Sequence, residues 1–369
     1  MISFLFLHLN RETFKLTITI KLLKHFITVT TIYVLFSCST NERRISIIEQ
    51  FPTITEISPL EIPVDSFLGK PYQIVNAGDK LIIADIIDEK LIHIYDLKEQ
   101  KTVKQLFSKG SGPNDLLLPI YINTVDTSTI NIFQRQNSVY TEYHISNLLQ
   151  GDLNPITKVT CSNSDDIKKI SNDKFIGNGF FKEGALGVFN NEGVLIKEWN
   201  TYPDFIYKLP NPSSKFLLGQ QYFEFNPQTH LLMTASIFTG DIQVFNVNDQ
   251  LEITKIKEYK TPISSIERRI DNSNEIKPNA NDIVYYEDIA CTEHFFYILY
   301  CGNPMGKKET TENNYILQFD STGTPIQAIK TNKRIFKFCV SHNDSTIYAI
   351  ALTEDLSHNI IKFDLSSKN

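Results

Sequence analysis

The chain has 369 residues and carries 42 Asp and Glu against 36 Lys and Arg, a formal net charge of −6. That length suffices for one large domain or two small ones, and the acid surplus argues against nucleic acid or anionic headgroups as partners. Sixteen Tyr and 25 Phe, with few amphipathic helical stretches, point to β structure.

In chain order, an apolar patch, SFLFLHL (3–9), comes first. Lys21 and Lys24 then precede FITVTTIYVLF (26–36), which is apolar apart from its threonines. A basic stretch, a short apolar core and a small residue, Ser37, follow the grammar of a secretory signal, and the core is short for a membrane span. Met1 is the only methionine before Met233, so a later start would need another codon. Leu35-Phe36-Ser37-Cys38 resembles the lipobox of bacterial lipoproteins, with Phe36 bulkier than usual at its position. The resemblance implies cleavage before Cys38 and lipidation of its thiol, with residues 1–37 as signal peptide. Attachment would then come from acyl chains, each buried CH₂ contributing about 0.8 kcal/mol. The alternative is an ordinary Cys38 in an uncleaved anchor. After cleavage Lys and Arg fall from 36 to 32 and Asp and Glu from 42 to 41, a net charge of −9. Ser39 follows the cysteine in place of an acidic retention residue, which by resemblance to Gram-negative sorting favours the outer membrane, in either leaflet. Residues 38–53 read as the lipidated tether and 54–369 as the folded domain.

One pattern recurs six times along that domain. A β-branched run ends in an aromatic and then a polar turn residue: Tyr95-Asp96, Tyr143-His144, Phe189-Asn190, Phe245-Asn246, Phe319-Asp320 and Phe363-Asp364. The aromatic is expected to pack between sheets, and the Asp or Asn to start a hairpin by bonding the backbone two residues on. Each copy is preceded by an alternating apolar run, such as KLIIADII (80–87) or STIYAIAL (345–352). Most are followed by a fourth strand, such as VLIKEW (194–199) or PIQAIK (325–330). Four antiparallel strands per repeat of roughly 45–55 residues is the unit of a β-propeller blade. The fold expected is therefore all-β, a six-bladed β-propeller. The sixth repeat lacks a fourth strand, and a propeller left open has a bare sheet edge. The segment ITEISPLEIPV (54–64) belongs to no repeat and is predicted to close the last blade as its outer strand, where Pro59 and Pro63 are tolerable on an edge.

In a propeller the loops joining second to third strands share a face with the blade-to-blade connections. The long connections here fall mostly on that linking face: 108–119, 200–216, 261–282 and 302–314. Long loops on a rigid scaffold are where function concentrates. The candidate binding-face residues are Gly110, Ser111, Gly112, Pro113, Asn114, Tyr222, Tyr285 and Tyr286, the tyrosines standing at the starts of inner strands. Gly110-Ser111-Gly112-Pro113 lacks the Gly-Lys-Ser/Thr of a phosphate loop and reads as a linking turn. Cys161, Cys291, Cys301 and Cys339 show no CxxC and no paired zinc spacing, and read as buried free thiols. The histidines form no HxH or HExxH, and no catalytic residue can be assigned.

The leader with its lipobox, GKPYQIVNAGDKLIIADIIDEKLIHIYDL (69–97) and GSGPNDLLLP (110–119) together resemble the TolB-like six-bladed propeller lipoproteins. Asn114-Asp115-Leu116 stand where that family usually has Gly-Glu-Phe. The resemblance implies fold and lipidation and supplies no catalytic residues. The long-loop face, not the resemblance, leads to the expectation of a monomeric binding or scaffold module that uses that face for a cell-envelope protein or glycan, with no cofactor. The alternative is a propeller hydrolase or lyase with an axial calcium. Asp85, Asn123, Asn178, Glu224, Glu287 and Asp288 are candidates to face the axis, but ligands scattered one per blade leave no spacing signature.

Overall fold

The computed structural model describes residues 46–64, 68–262, 264–270, 277–307, 314–353 and 357–365. The leader, Cys38 and the tether as far as residue 45 lie outside the described residues. Two short N-terminal strands, β1 (Ile54–Ile57) and β2 (Leu60–Glu61), precede six antiparallel sheets. Blade 1 holds β3 (Pro71–Ala77), β4 (Lys80–Asp85), β5 (Lys90–Asp96) and β6 (Lys101–Lys109), extended by the short parallel β7 (Asp115–Leu116). Blade 2 holds β8 (Ile120–Thr124), β9 (Thr129–Gln134), β10 (Val139–His144) and β11 (Thr157–Thr160). Blade 3 holds β12 (Ser164–Ser171), β13 (Lys174–Gly179), β14 (Leu186–Asn190) and β15 (Leu195–Trp199). Blade 4 holds β16 (Gln221–Asn226), β17 (Leu231–Ser236), β18 (Ile242–Val247) and β19 (Ile253–Tyr259). Blade 5 holds β20 (Ile283–Cys291), β21 (Phe295–Pro304), β22 (Tyr315–Asp320) and β23 (Pro325–Thr331). Blade 6 has three strands from the C-terminal end, β24 (Arg334–Val340), β25 (Thr346–Leu352) and β26 (His358–Asp364). The chain is a six-bladed β-propeller.

The repeated aromatics end or nearly end the third strand of every blade, and all six are buried: Tyr95, Tyr143, Phe189, Phe245, Phe319 and Phe363. The polar residue after them works as expected in blades 1, 3 and 5. Asp96 Oδ1 accepts from the Lys98 and Glu99 amides, Asn190 Oδ1 from Glu192 and Val194, and Asp320 Oδ1 from Thr322 and Thr324. Blade 4 differs, because its strand runs on to Val247 and Asn248 takes the turn, accepting from Gln250 and Glu252. In blade 2 a short helix, Ile145–Gln150, follows His144 and ends at Gly151 with φ of 85°.

Neighbouring blades are stitched by side chains as well as by apolar packing. Ile176, Leu186 and Val188 of blade 3 pack with Phe223, Leu232 and Phe245 of blade 4. Trp199, almost fully buried, donates its indole N–H to the Leu251 carbonyl at 2.8 Å. The Tyr72 hydroxyl reaches the Ile120 carbonyl at 2.7 Å, and the Tyr259 hydroxyl the Gly323 carbonyl at 2.7 Å. Buried aromatics whose polar ends find a partner combine large apolar area with fixed orientation.

The N-terminal segment closes the ring, but not as a single strand. Leu60 and Glu61 pair antiparallel with Lys362 and Ile361 of β26, and Ile62 N donates to the Ile360 carbonyl at 2.9 Å. β1 instead runs parallel to β23, from Ile54 opposite Ala328 to Ile57 opposite Thr331, and adds a fifth strand to blade 5. Pro59 stands between the two strands and has no N–H to donate to a ladder, so one continuous edge strand is not available. Ile62 then enters the core shared by blades 6 and 1 with Ile74, Leu81, Ile350 and Ile360. Tyr95 donates its hydroxyl to the Pro63 carbonyl at 2.8 Å. Residues 46–53, which the sequence places in the tether, pack against the ring. Ile47 and Phe51 are buried, with the Phe51 ring 5.1 Å from that of Phe319.

The closure and the turn chemistry can each be tested. Ile62→Ala is expected to destabilise by about 2–5 kcal/mol, as for other buried large-to-small changes, read as a shift in urea midpoint; no shift would mean that this segment does not hold the ring. Asp96 is held down to about 2, first by the Glu99 amide and then by the Lys80 ammonium at 2.9 Å. A carboxyl depressed in the folded state stabilises above its unfolded pKa and loses that contribution as pH falls through the folded value. Asp96→Asn should therefore cost about 1 kcal/mol at neutral pH. The difference from wild type should vanish between about pH 4 and pH 2, and a pH-independent difference would refute the ion-pair origin.

Candidate functional site

The first strands of the six blades, β3, β8, β12, β16, β20 and β24, surround an axial cavity of about 1000 Å³. Its lining runs the length of these strands. Pro119, Tyr202, Phe216 and Gln220 bound it at the linking face, and Thr127, Gln228, Glu293 and His342 at the opposite face. Strand alternation sets what enters it. In β16, Phe223 is buried between blades while Tyr222 and Glu224 on the other face are partly exposed to the cavity. Four inner strands also carry register shifts near their starts, between Pro71 and Gln73, Ser164 and Asp166, Tyr286 and Asp288, and Ile335 and Lys337. Each shift ends on a polar residue that lines the cavity, the re-aiming of side chains expected of a β-bulge.

The side chains so aimed form a belt of ion pairs between blades. Lys168 of blade 3 pairs with Glu224 of blade 4. Lys337 of blade 6 lies 2.8 Å from Asp288 of blade 5, donates to the Glu287 carbonyl at 3.1 Å, and sits 4.7 Å from the Tyr222 ring centroid. Asp288 also accepts the Phe338 amide at 3.0 Å. These four charged side chains are only 14–18 % exposed. Burial pushes the Lys337 ammonium down, but Asp288, with the Tyr222 hydroxyl, more than offsets it and holds the pKa above the ordinary lysine value. Lys168 is likewise held up against burial by Glu224 and Asp166. Burial pushes the Tyr222 hydroxyl up to about 12. Toward the linking face Arg135 pairs with Asp165 at 2.7 Å. Each ammonium at the axis is thus committed to a carboxylate, and the remaining cost of desolvation is met by hydrogen bonds.

The residues singled out in the sequence separate into three groups. Asn123, Asn178, Tyr222, Glu224 and Asp288 line the cavity. Gly110, Ser111, Gly112, Pro113 and Asn114 form the turn between β6 and β7 away from it. A Cβ at Gly110 or Gly112 would stand 2.5 or 2.7 Å from the Asp115 carboxylate, which accepts the Gly112 amide at 3.0 Å. A larger residue at either glycine would push the Asp115 side chain off the Gly112 amide. The rest serve the framework. Tyr286 is fully buried, with its hydroxyl on the Gly240 carbonyl at 2.8 Å, and Tyr285 packs beside it. Glu287 pairs with Arg334. Asp85 accepts the Lys70, Ile87 and Asp88 amides and shapes a loop. Asp166, Lys168, Lys337 and Tyr121 line the axis but escaped the sequence reading. The available signal was a lone lysine amid apolar residues in RIFKFCV, and paired acids and lysines in SDDIKKI. Among the described residues no group of three or more His, Cys, Asp or Glu is placed to hold a metal ion. The four cysteines among the described residues are free, and burial pushes the Cys161 thiol up to about 12.

No helix among the described residues is long and apolar enough to cross a membrane. No curated protein sequence matches the chain. Among solved structures, it is similar to a candidate exported protein from Bacteroides fragilis, with a TM-score of 0.55 and 15 % identity over 84 % of this chain and 99 % of that one. It is also similar to a member of the duf4221 family from Bacteroides vulgatus, with a TM-score of 0.51 and 12 % identity over 83 % of this chain and 95 % of that one. At such identities the likeness is one of fold. The family model described as TolB-like 6-blade propeller-like matches residues 50–343, a span that reaches from the closing segment into the sixth blade, so the chain belongs to the TolB-like six-bladed propeller family.

Proposed function

We propose that the protein is an exported binding module, anchored at the outer membrane through Cys38, that takes a cell-envelope protein or glycan on its linking face. The observation that carries this reading is a set of exposed aromatics on that face, with Phe216 at the cavity mouth. Phe180 is 47 % exposed and meets the Phe216 ring edge-on at 5.4 Å. Tyr207 is 44 % exposed, with the Lys215 ammonium 4.7 Å from its ring centroid. The patch is built largely by the insertion between blades 3 and 4, which folds into two short helices, Asp204–Tyr207 and Pro212–Leu218. Asn211 caps the second through the Ser213 and Ser214 amides, with Pro212 at its first position. Exposed aromatics on a fixed platform are what both protein hot spots and sugar faces use.

A hydrolase or lyase with an axial calcium is the second reading. It is disfavoured by charge, because Glu224 and Asp288 would have to release Lys168 and Lys337 before ligating a metal.

The combined variant Phe180→Ala, Tyr207→Ala, Phe216→Ala removes the patch. Capture of envelope components and binding to a glycan array should fall about tenfold or more. The melting temperature should shift only modestly, because two of the three rings are nearly half exposed. Full retention of binding would sink the reading. Cys38→Ala, expressed in a Gram-negative host, should abolish fatty-acid labelling and release the chain from the membrane fraction. Continued membrane attachment without label would mean an uncleaved anchor.

A further inference from the structure

We propose that the axial cavity is a site for a small organic ligand bearing a primary ammonium group, with Asp166 as its counter-ion. The inference goes beyond the loop-surface reading and uses other residues. Six carboxylates line the cavity against four Lys and Arg. Lys168, Lys337 and Arg135 pair with Glu224, Asp288 and Asp165, and Lys169 turns to Glu142 at 2.9 Å. Asp126 and Glu293 stand toward the mouth opposite the linking face. Asp166 is left inside the cavity without an ion pair among the described residues, and its Oδ1 accepts only the Ile167 amide, at 2.8 Å. A half-buried carboxylate that makes no direct ion pair, and only feels ammonium groups committed to other carboxylates, gains from a cation placed against it. Burial accordingly pushes the Asp166 pKa up, although Lys168 and Lys337 act against it.

The neighbouring wall points to what kind of cation. Asn178 lies directly opposite Asp166 in the β12–β13 ladder. Its amide nitrogen donates to the Gln221 carbonyl at 3.1 Å, which fixes the group's orientation and leaves Oδ1 without a partner. Gln221 lines the cavity at 3 % exposure, bonds Thr201 through Nε2, and also leaves its side-chain oxygen without a partner. Asp166, Asn178 and Gln221 all line the cavity on adjacent blades and carry acceptor oxygens of the kind that the three N–H donors of an ammonium group require. Tyr121, whose hydroxyl feels the Asp166 charge, adds a ring that suits a cation. An anion would meet Asp166 unfavourably, and a neutral polyol would leave its charge uncompensated. The cavity volume is at the upper end for small-molecule sites, so the ammonium can belong to an amino sugar or to a peptide amino terminus.

Calorimetric titration of the full chain with glucosamine, N-acetylglucosamine, alaninamide and N-acetylalaninamide tests the site and distinguishes the sources. One or both amines should bind, and the matching acetylated compound should bind about tenfold weaker or not at all, the loss of a charged hydrogen bond. Asp166→Asn keeps an oxygen for the Ile167 amide, so it should fold with an unchanged or raised melting temperature while losing amine binding about tenfold. Glu293→Gln, at the far mouth, should bind as wild type. The proposal is overturned if neither amine binds at about 10 mM, if acetylation makes no difference, or if Asp166→Asn binds as well as wild type. It is also overturned if calcium, and no amine, stabilises the chain in an Asp166-dependent way. Each of these outcomes is independent of whether the aromatic patch binds a partner.

Discussion

The structure depends on the closure of its ring. Five blades carry their own outer strand, and the sixth receives one from the opposite end of the domain, where Leu60 and Glu61 meet β26. Two residues of ladder are few, so the burden passes to the next stretch of chain: Ile62 in the core between blades 6 and 1, and the Tyr95 hydroxyl on the Pro63 carbonyl. A contact between residues some 300 positions apart is entropically slow to form, since loop closure must precede its reward. Once made, it fixes the last blade against the first, and only then do six inner strands share one axis. The cavity is therefore a product of closure, and its chemistry cannot exist in a partly assembled ring.

The axis shows how the same backbone serves two purposes. Between blades, the inner strands present apolar residues such as Ile122, Ile167 and Phe223 to their neighbours. Toward the axis they present charges, and register shifts place Asp166, Asp288 and Lys337 there. The pairs Lys168–Glu224 and Lys337–Asp288 each join two blades. Buried pairs of this kind add little net stability against well-packed apolar residues, because desolvation offsets attraction. Removing one partner, however, leaves the other charge uncompensated, so the pairs resist slippage of one blade against the next. They confer orientation more than stability.

How much of this was legible in the sequence depends on the range of each interaction. The aromatic and Asx pairs at strand ends repeat because the local problem repeats: a core residue, then a turn whose amides need an acceptor. That is why the third strands of all six blades could be found, and why blade 4, where Asn248 replaces Asn246 as the turn residue, departs only in detail. The missing sixth outer strand was visible because closure is a topological demand. Pro59 was visible too, but its consequence, the division of one strand between two blades, depends on where β23 and β26 lie. The axial belt was not legible for a physical reason. Lys168 meets Glu224 across 56 residues and Lys337 meets Asp288 across 49. A register shift inverts the alternation from which an inward face would be read, so Tyr285 and Tyr286 look like mouth residues in the sequence while Asp288 takes the axis.

The charge balance of the axis gives the fold its functional direction. A propeller channel plugged by apolar side chains would be a structural core and nothing more. Here the channel stays open over about 1000 Å³ and is walled by groups that mostly satisfy one another. Where every charge is paired, a ligand gains little by entering, since it must displace a partner as good as itself. In the proposed site, discrimination would therefore rest on the group left over. Between blades 3 and 4 that group is Asp166 with its two amide neighbours, and it lies on the same side of the ring as the insertion that carries Phe216 to the cavity mouth. The two proposed sites, an aromatic surface and an interior with a single unbalanced charge, would act in series, the first setting what approaches and the second what is retained.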